Sequence, residues 1–378
     1  MRIAATLSAV CLAACISDAV DPATDPNGDG GKADGTGQSH ELAGFDETLL
    51  AGDSDGKLAV VHVGETFSRK SVSLRTTRPP NVIRSRGGKF YALLESGKLA
   101  VIDAKTAKVE ASIQVGSSPA DFEWADASTI YVSRASTGLV ARVELATGTE
   151  RGTIDLASLR LAGGSVQPRR LLRLDDRLFV QVARTTTSGR PDRGALAVID
   201  TTRDVVEKVI ELDGVNPDFD LVHDPIRKHL YVTCAGVRPS NTGVLVRIDT
   251  ETLAIHDRIP ASSGWQGIVQ FGDPFETLFM LYHTSTPTTS SHLFAYSVDA
   301  DGALEGFGTG TLVDAFDGID ALSINAGGTL VAMANHCAVG FCIGGAGLNF
   351  VDATSRQVLP KLLADQLGFE PMIVQFAR

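Results

Sequence analysis

Leu99–Asp103 reads LAVID, and Leu196–Asp200 reads LAVID again. The same kind of segment, opening on leucine and closing on a polar or acidic turn, recurs as Leu58–Val63 (LAVVHV), Leu139–Glu144 (LVARVE), Leu245–Asp249 (LVRID), Leu293–Val298 (LFAYSV) and Leu348–Asp352 (LNFVD). The opening leucines lie 41, 40, 57, 49, 48 and 55 residues apart in chain order. That spacing approximates the roughly 40–50-residue blade of a β-propeller, whose units bury their faces only against one another. Seven such segments predict an all-β, seven-bladed β-propeller of four-stranded blades.

Around each segment, short apolar runs rich in Val, Ile, Leu and Phe alternate with turn residues, and helical periodicity is nearly absent. In the second unit the strands read, from the channel outward, Asn81–Ser85, Phe90–Leu94, Leu99–Asp103 and Val109–Val115. In the third they read Ala120–Trp124, Ile130–Ser133, Leu139–Glu144 and Gly152–Leu156. Continuous apolar runs suit middle strands that neighbouring blades cover on both faces. The first unit shows Glu47–Ala51, Leu58–Val63 and Arg69–Leu74 but no inner strand ahead of them. The chain ends on Glu370-Pro-Met-Ile-Val-Gln-Phe-Ala377, which matches the inner-strand segment Trp265-Gln-Gly-Ile-Val-Gln-Phe271. Met372–Phe376 is therefore predicted to pair beside Glu47–Ala51 and close the ring by the C-terminal strand, removing two open sheet edges.

Lys108–Trp124 (KVEASIQVGSSPADFEW), followed by Ile130-Tyr-Val-Ser133 and, later, Leu230-Tyr-Val-Thr233, resembles the YVTN-type β-propeller repeat family. In those repeats an outer strand ends in Val-Gly, a proline opens the next inner strand, and a Tyr-Val-Thr strand follows. The resemblance covers residues 45–378 and is strongest in units two, three and five. Units four, six and seven carry insertions, and unit six has Phe279-Met280-Leu281-Tyr282 where Tyr-Val-Thr falls. The expected propeller domain is 41–378.

Residues 1–14 read as a signal peptide: a basic start at Met1-Arg2, a mostly apolar stretch Ile3–Val10, then Leu12-Ala13-Ala14-Cys15. The last four resemble the lipobox of a bacterial lipoprotein, in competition with a plain secretory signal. The resemblance implies cleavage before Cys15, diacylglycerol on its sulfur and acylation of the new amine. Two or three chains hold a protein on a lipid bilayer far better than one, at about 0.8 kcal/mol per buried methylene. Ile16 rather than aspartate follows the cysteine, so the implied address is the cell envelope, lipid-anchored at the outer membrane. Residues 15–40 are rich in Gly, Asp and Pro and too poor in large apolar side chains to offset their ordering entropy, which makes them a flexible tether. Asp25–Gly30 has the alternating oxygen ligands of half a calcium loop, but Thr36 stands where a bidentate glutamate is needed, so a solvated linker is favoured.

A net charge of −11 argues against a nucleic-acid partner, since phosphate binding needs a basic surface. Beyond Cys15 the cysteines are Cys234, Cys337 and Cys342, a low count that suits a large core independent of disulfides. Cys337 and Cys342, spaced C-x4-C, predict a local disulfide in an oxidising compartment, in preference to a metal site with His336 that would lack a located fourth ligand. Cys234 reads as a small buried residue.

Unit lengths point to a working face. The connection between second and third strands is Ser96–Lys98 in unit two but swells to Thr185–Gly194, Gly236–Gly243, Thr284–Ser291 and Asn335–Gly347 in units four to seven. These connections share one face with the links between blades, and insertions on one face of a repeat protein are where binding concentrates. There Arg184, Arg190, Arg193, Arg238 and Trp265 form a candidate binding patch, since Trp and Arg are favoured at hot spots. Taken singly, an exposed loop arginine is more often only solvated.

No G-x-S-x-G, H-E-x-x-H or C-x-x-C-H motif occurs, and Gly344-Gly-Ala-Gly347 lacks the Lys-Ser/Thr of a phosphate loop. No catalytic residue, metal or cofactor is assigned. His223-Asp224 and His256-Asp257 read as turn or surface pairs. Asp218 and Asp220 read as turn-fixing residues in preference to channel groups. The favoured function is a non-enzymatic scaffold for an envelope protein or carbohydrate. The alternative, a lactonase-like hydrolase using the central funnel, rests on fold analogy alone. Buried, perturbed His, Asp or Glu side chains converging in the channel are the observation that favours the second.

Overall fold

The computed structural model describes residues 42, 44–74, 76–237, 242–260, 265–272, 275–284, 290–305, 311–317, 319–336 and 345–378. They form seven antiparallel sheets, the blades of the ring. Blade 2 runs outward through Val82–Arg86, Lys89–Leu94, Lys98–Asp103 and Val109–Gln114. Blade 3 comprises Pro119–Trp124, Thr129–Arg134, Leu139–Glu144 and Glu150–Asp155. Blade 4 has longer strands, Ser165–Leu174, Arg177–Thr185, Pro191–Asp200 and Val205–Val215. Blade 5 comprises Leu221–Asp224, His229–Cys234, Val244–Asp249 and Ile255–Pro260. Blade 6 comprises Trp265–Phe271, Thr277–Thr284 and Ser290–Val298, and its outer edge is split into Leu304–Glu305 and Thr311–Asp317, both paired with Ser290–Val298. Blade 7 comprises Ile319–Ile324, Leu330–Asn335, Gly347–Asp352 and Val358–Leu363.

Blade 1 holds Glu47–Gly52, Leu58–Val63 and Ser68–Val72, and its inner strand is the C-terminal Ile373–Phe376. The register runs from Leu49 opposite Phe376 to Gly52 opposite Ile373, so the ring closes as the terminal motif predicts.

Apolar side chains of the middle strands pack between blades. The core is divided into clusters, one at each of the seven seams; Phe122, Leu93 and Val132 fill that between blades 2 and 3, and Phe179, Leu230 and Val246 that between blades 4 and 5. Polar side chains of the inner, second and third strands stitch the same seams to backbone. Ser85 Oγ donates to the Phe376 carbonyl (2.8 Å), and Ser133 Oγ to that of Arg169 (2.6 Å). Gln181 Nε2 donates to the Asp220 carbonyl (2.7 Å). Ser291 and Ser323 hydroxyls accept from the backbone of Ile319 and Phe376 (3.2 and 3.1 Å).

The two repeated motifs acquire physical reasons. The acid that ends the LAVID-type segment builds the next turn: Asp103 Oδ1 accepts from the N–H and hydroxyl of Thr106, Asp200 and Asp249 do the same for Thr202 and Thr252, and Asp352 accepts from the N–H groups of Thr354 and Ser355. The residue four positions on is left-handed in five blades, at Ala107, Gly148, Asp204, Leu253 and Arg356. The tyrosine of the Tyr-Val strand grips the corresponding turn of the next blade. Buried Tyr131 donates to Asp204 Oδ1 (3.0 Å), and buried Tyr231 to the Gly302 carbonyl (2.5 Å). Arg142 and Arg247, one strand outward, bind the same turns through Asp204 and the Asp301 carbonyl.

Candidate functional site

The inner strands of all seven blades line a central cavity of about 760 Å³. An antiparallel blade whose inner strand starts at the long-connection face ends that strand at the opposite face. Pro225, Phe275, Asn325 and Arg378 line the cavity at those far ends, so it reaches the face away from the long connections.

One level of the channel is charged. Asp121, Arg170 and Asp220 each immediately precede the residue (Phe122, Leu171, Leu221) that pairs with the equivalent valine of its second strand, Val132, Val180 or Val232. They therefore occupy the same position in three consecutive blades and present acid, base and acid around the channel wall. Each also reaches forward to the next blade's backbone. Asp121 Oδ2 accepts from the Leu171 N–H (2.9 Å), Arg170 Nε donates to the Phe219 carbonyl (2.6 Å), and Asp220 Oδ2 accepts from the Val269 N–H (2.9 Å).

Arg84 of blade 2 completes the group. Its Nη2 donates to both oxygens of the fully buried Asp121 (3.1 and 2.8 Å) and to the Leu171 carbonyl, and its Nη1 lies 3.4 Å from Glu123. Burial alone pulls the guanidinium down, but Asp121 and Glu123 more than offset that and hold its pKa above the ordinary arginine value. Burial raises Glu123 against the pull of Arg84. Burial likewise pushes the Asp220 carboxyl up to about 6, against Arg170 and the Val269 N–H, with the Asp121 charge adding to the rise. His223, also lining the cavity, is lowered by burial. Arg378 reaches the Ile324 carbonyl at 3.4 Å.

The predicted patch is only partly assembled. Arg184 is 3% exposed: it donates to the carbonyls of Arg193 (2.6 Å) and Gly194 (3.2 Å) and pairs with Glu211 across the strands of blade 4. It is a brace of that blade, and the correction has a local cause. The polar stretch Thr185–Gly194, read as a long connection, is mostly hairpin, with Thr185 opposite Pro191 and Arg184 opposite Asp192, leaving 186–190 as the loop. Arg190 is exposed in that loop, and Arg193 is 61% exposed with Asp213 4.0 Å away. Trp265 begins the inner strand of blade 6. Arg238, Cys337, Cys342, Cys15 and the whole of 1–40 lie outside the described residues.

One further expectation changes. Asp220 is a channel group, whereas Asp218 pairs with Arg169 at 3.2 Å. Asp224 fixes the turn after its strand, as the turn reading expects, with Oδ1 accepting from the Ile226 and Arg227 N–H groups, and it does so from a buried position. Cys234 is buried as expected, and its thiol is pushed up to about 12 by burial. Among the described residues no cluster of three or more His, Cys, Asp or Glu could hold a metal ion, and no helix is long and apolar enough to cross a membrane.

Neither a protein-family model nor a curated protein sequence matches the chain. Solved structures do resemble it. A putative 6-phosphogluconolactonase from Bacteroides uniformis ATCC 8492 is 13% identical over 88% of this chain and 100% of that one, with a TM-score of 0.60. Another from Bacteroides fragilis NCTC 9343 is 12% identical over 88% and 98%, with a TM-score of 0.59. Kuenenia stuttgartiensis hydrazine synthase is 16% identical over 75% and 79%, with a TM-score of 0.55. At such identities the likeness is one of fold, a β-propeller that hosts many functions.

Proposed function

We propose that this chain is a YVTN-type propeller, anchored through acylated Cys15 to the outer membrane, that binds a small polar ligand in its central channel. The observation that carries the reading is the convergence of Arg84, Asp121, Arg170 and Asp220 on one cavity lined by every blade. A concave site with few, firmly held polar groups is what small-molecule recognition requires. The opposite, loop-bearing face, with Arg190 and Arg193, is the surface offered to a protein of the envelope. The Leu-Ala-Ala-Cys15 motif supports the anchor.

A thermal-shift screen of polar metabolites against the parent and Arg170→Ala tests the channel. Ligands that stabilise the parent but not the variant support it, and equal stabilisation of both refutes it. Cys15→Ala tests the anchor: a variant that stays in the membrane fraction contradicts acylation.

One observation favours a second reading, hydrolysis of a small ester or lactone. A channel carboxylate titrating near 6 is suited to general-base work near neutral pH. The two Bacteroides proteins also carry lactonase names. Lactone opening followed by acid release, abolished by Asp220→Asn, would select this reading.

A further inference from the structure

At the seam of blades 4 and 5, two charged groups are anchored yet incompletely used. Arg170 is held by Nε on the Phe219 carbonyl, and Asp220 by Oδ2 on the Val269 N–H. The Asp220 backbone is fixed as well: its N–H donates to Thr233 Oγ1 at 2.8 Å, and its carbonyl accepts from Gln181. Among the described residues, neither the terminal nitrogens of Arg170 nor Oδ1 of Asp220 has a hydrogen-bond partner. Arg170 and Asp220 attract one another without closing into an ion pair.

The chemistry of the gap selects among ligands. An anion drawn to Arg170 also meets Asp220 and Asp121, and a cation drawn to Asp220 also meets Arg170, Arg84 and Arg378. A hydroxyl satisfies both sides at once, since its oxygen accepts from the guanidinium while its hydrogen is donated to the carboxylate. Leu172, Phe219 and Leu221 add apolar wall beside these polar groups. That mixture suits a ring with apolar faces and hydroxylated edges, and the volume lies within the range of small-molecule sites. We infer that the channel ligand is a neutral, polyhydroxylated molecule of carbohydrate type whose hydroxyls bridge Arg170 and Asp220. This rests on the channel reading above.

Isothermal titration calorimetry on the full chain in detergent, with glucose, galactose, N-acetylglucosamine and maltose beside glucose 6-phosphate and glucosamine, tests it. At least one neutral saccharide should bind. Its affinity should fall about 10–100-fold in Asp220→Ala and in Arg170→Gln, the loss of a charge-assisted hydrogen bond, and stay unchanged in Lys108→Glu, at the exposed turn before the outer strand of blade 2. Thermal unfolding checks each variant; if Asp220→Ala does not fold, Asp220→Asn, which keeps an acceptor for Val269, takes its place. Tighter binding of the phosphate or the amine, lost on channel substitution, overturns the neutral-ligand inference and leaves the channel reading standing. Binding unaffected by either channel substitution overturns both. No binding by any member overturns the inference, the gap then being a water site.

Discussion

Replacing Phe376 with alanine tests whether the last strand locks the ring. Its side chain is 0% exposed and packs at the seam of blades 7 and 1 in the cluster that holds Leu49, Leu348 and Phe350. Its N–H donates to Ser323 of blade 7 and its carbonyl accepts from Ser85 of blade 2, so this residue joins three blades. Substitution leaves those backbone bonds available and removes the ring, so the cost is that of a core cavity, about 3–5 kcal/mol. Unfolding entropy of about 2.1 cal/mol/K per residue over roughly 340 residues converts this to about 4–7 °C in Tm. Differential scanning calorimetry reads the shift, and hydrogen exchange at Glu47–Gly52, the strand paired with the terminal one, locates it. A shift below about 1 °C refutes the reasoning; so does a full shift with protection at Glu47–Gly52 unchanged.

Tyr231→Phe removes only the hydroxyl that grips the Gly302 carbonyl, and should lower the urea unfolding free energy by about 1 kcal/mol; no change would mean that the blade-to-blade clamp is idle. Asp220 titrates near 6 in the fold against 3.8 unfolded, so the folded chain binds more protons between those values and loses stability as pH rises from about 4 to 6. Asp220→Asn should therefore melt above the parent at pH 7 and alongside it at pH 4, whereas a gap independent of pH contradicts the burial argument. Gly148 has φ +71°, and a Cβ there would sit 2.9 Å from the Gln114 carbonyl of the neighbouring blade. Gly148→Ala should thus cost more than the roughly 1 kcal/mol of a left-handed alanine, as measured by chemical denaturation.

The residues that carry the channel were visible in the sequence only in retrospect. Asp121-Phe122, Arg170-Leu171 and Asp220-Leu221 are the same position of consecutive units, but a charged residue at a strand start reads equally well as a turn. Arg184 misled for the converse reason. A polar run can extend a hairpin as easily as form a loop, and only pairing shows that Glu211 and three carbonyls enclose the guanidinium.

The sequence by itself determined the repeat, the number of blades and the closing role of the last strand. These follow from period-two apolar runs, acidic turns and one unmatched inner strand, all local patterns that recur at a fixed spacing. Only the tertiary structure decided which charged groups meet and which are left with unused donors and acceptors. Arg84, Asp121, Arg170 and Asp220 come from four blades, and their proximity is set by ring closure and strand register, which no local pattern encodes.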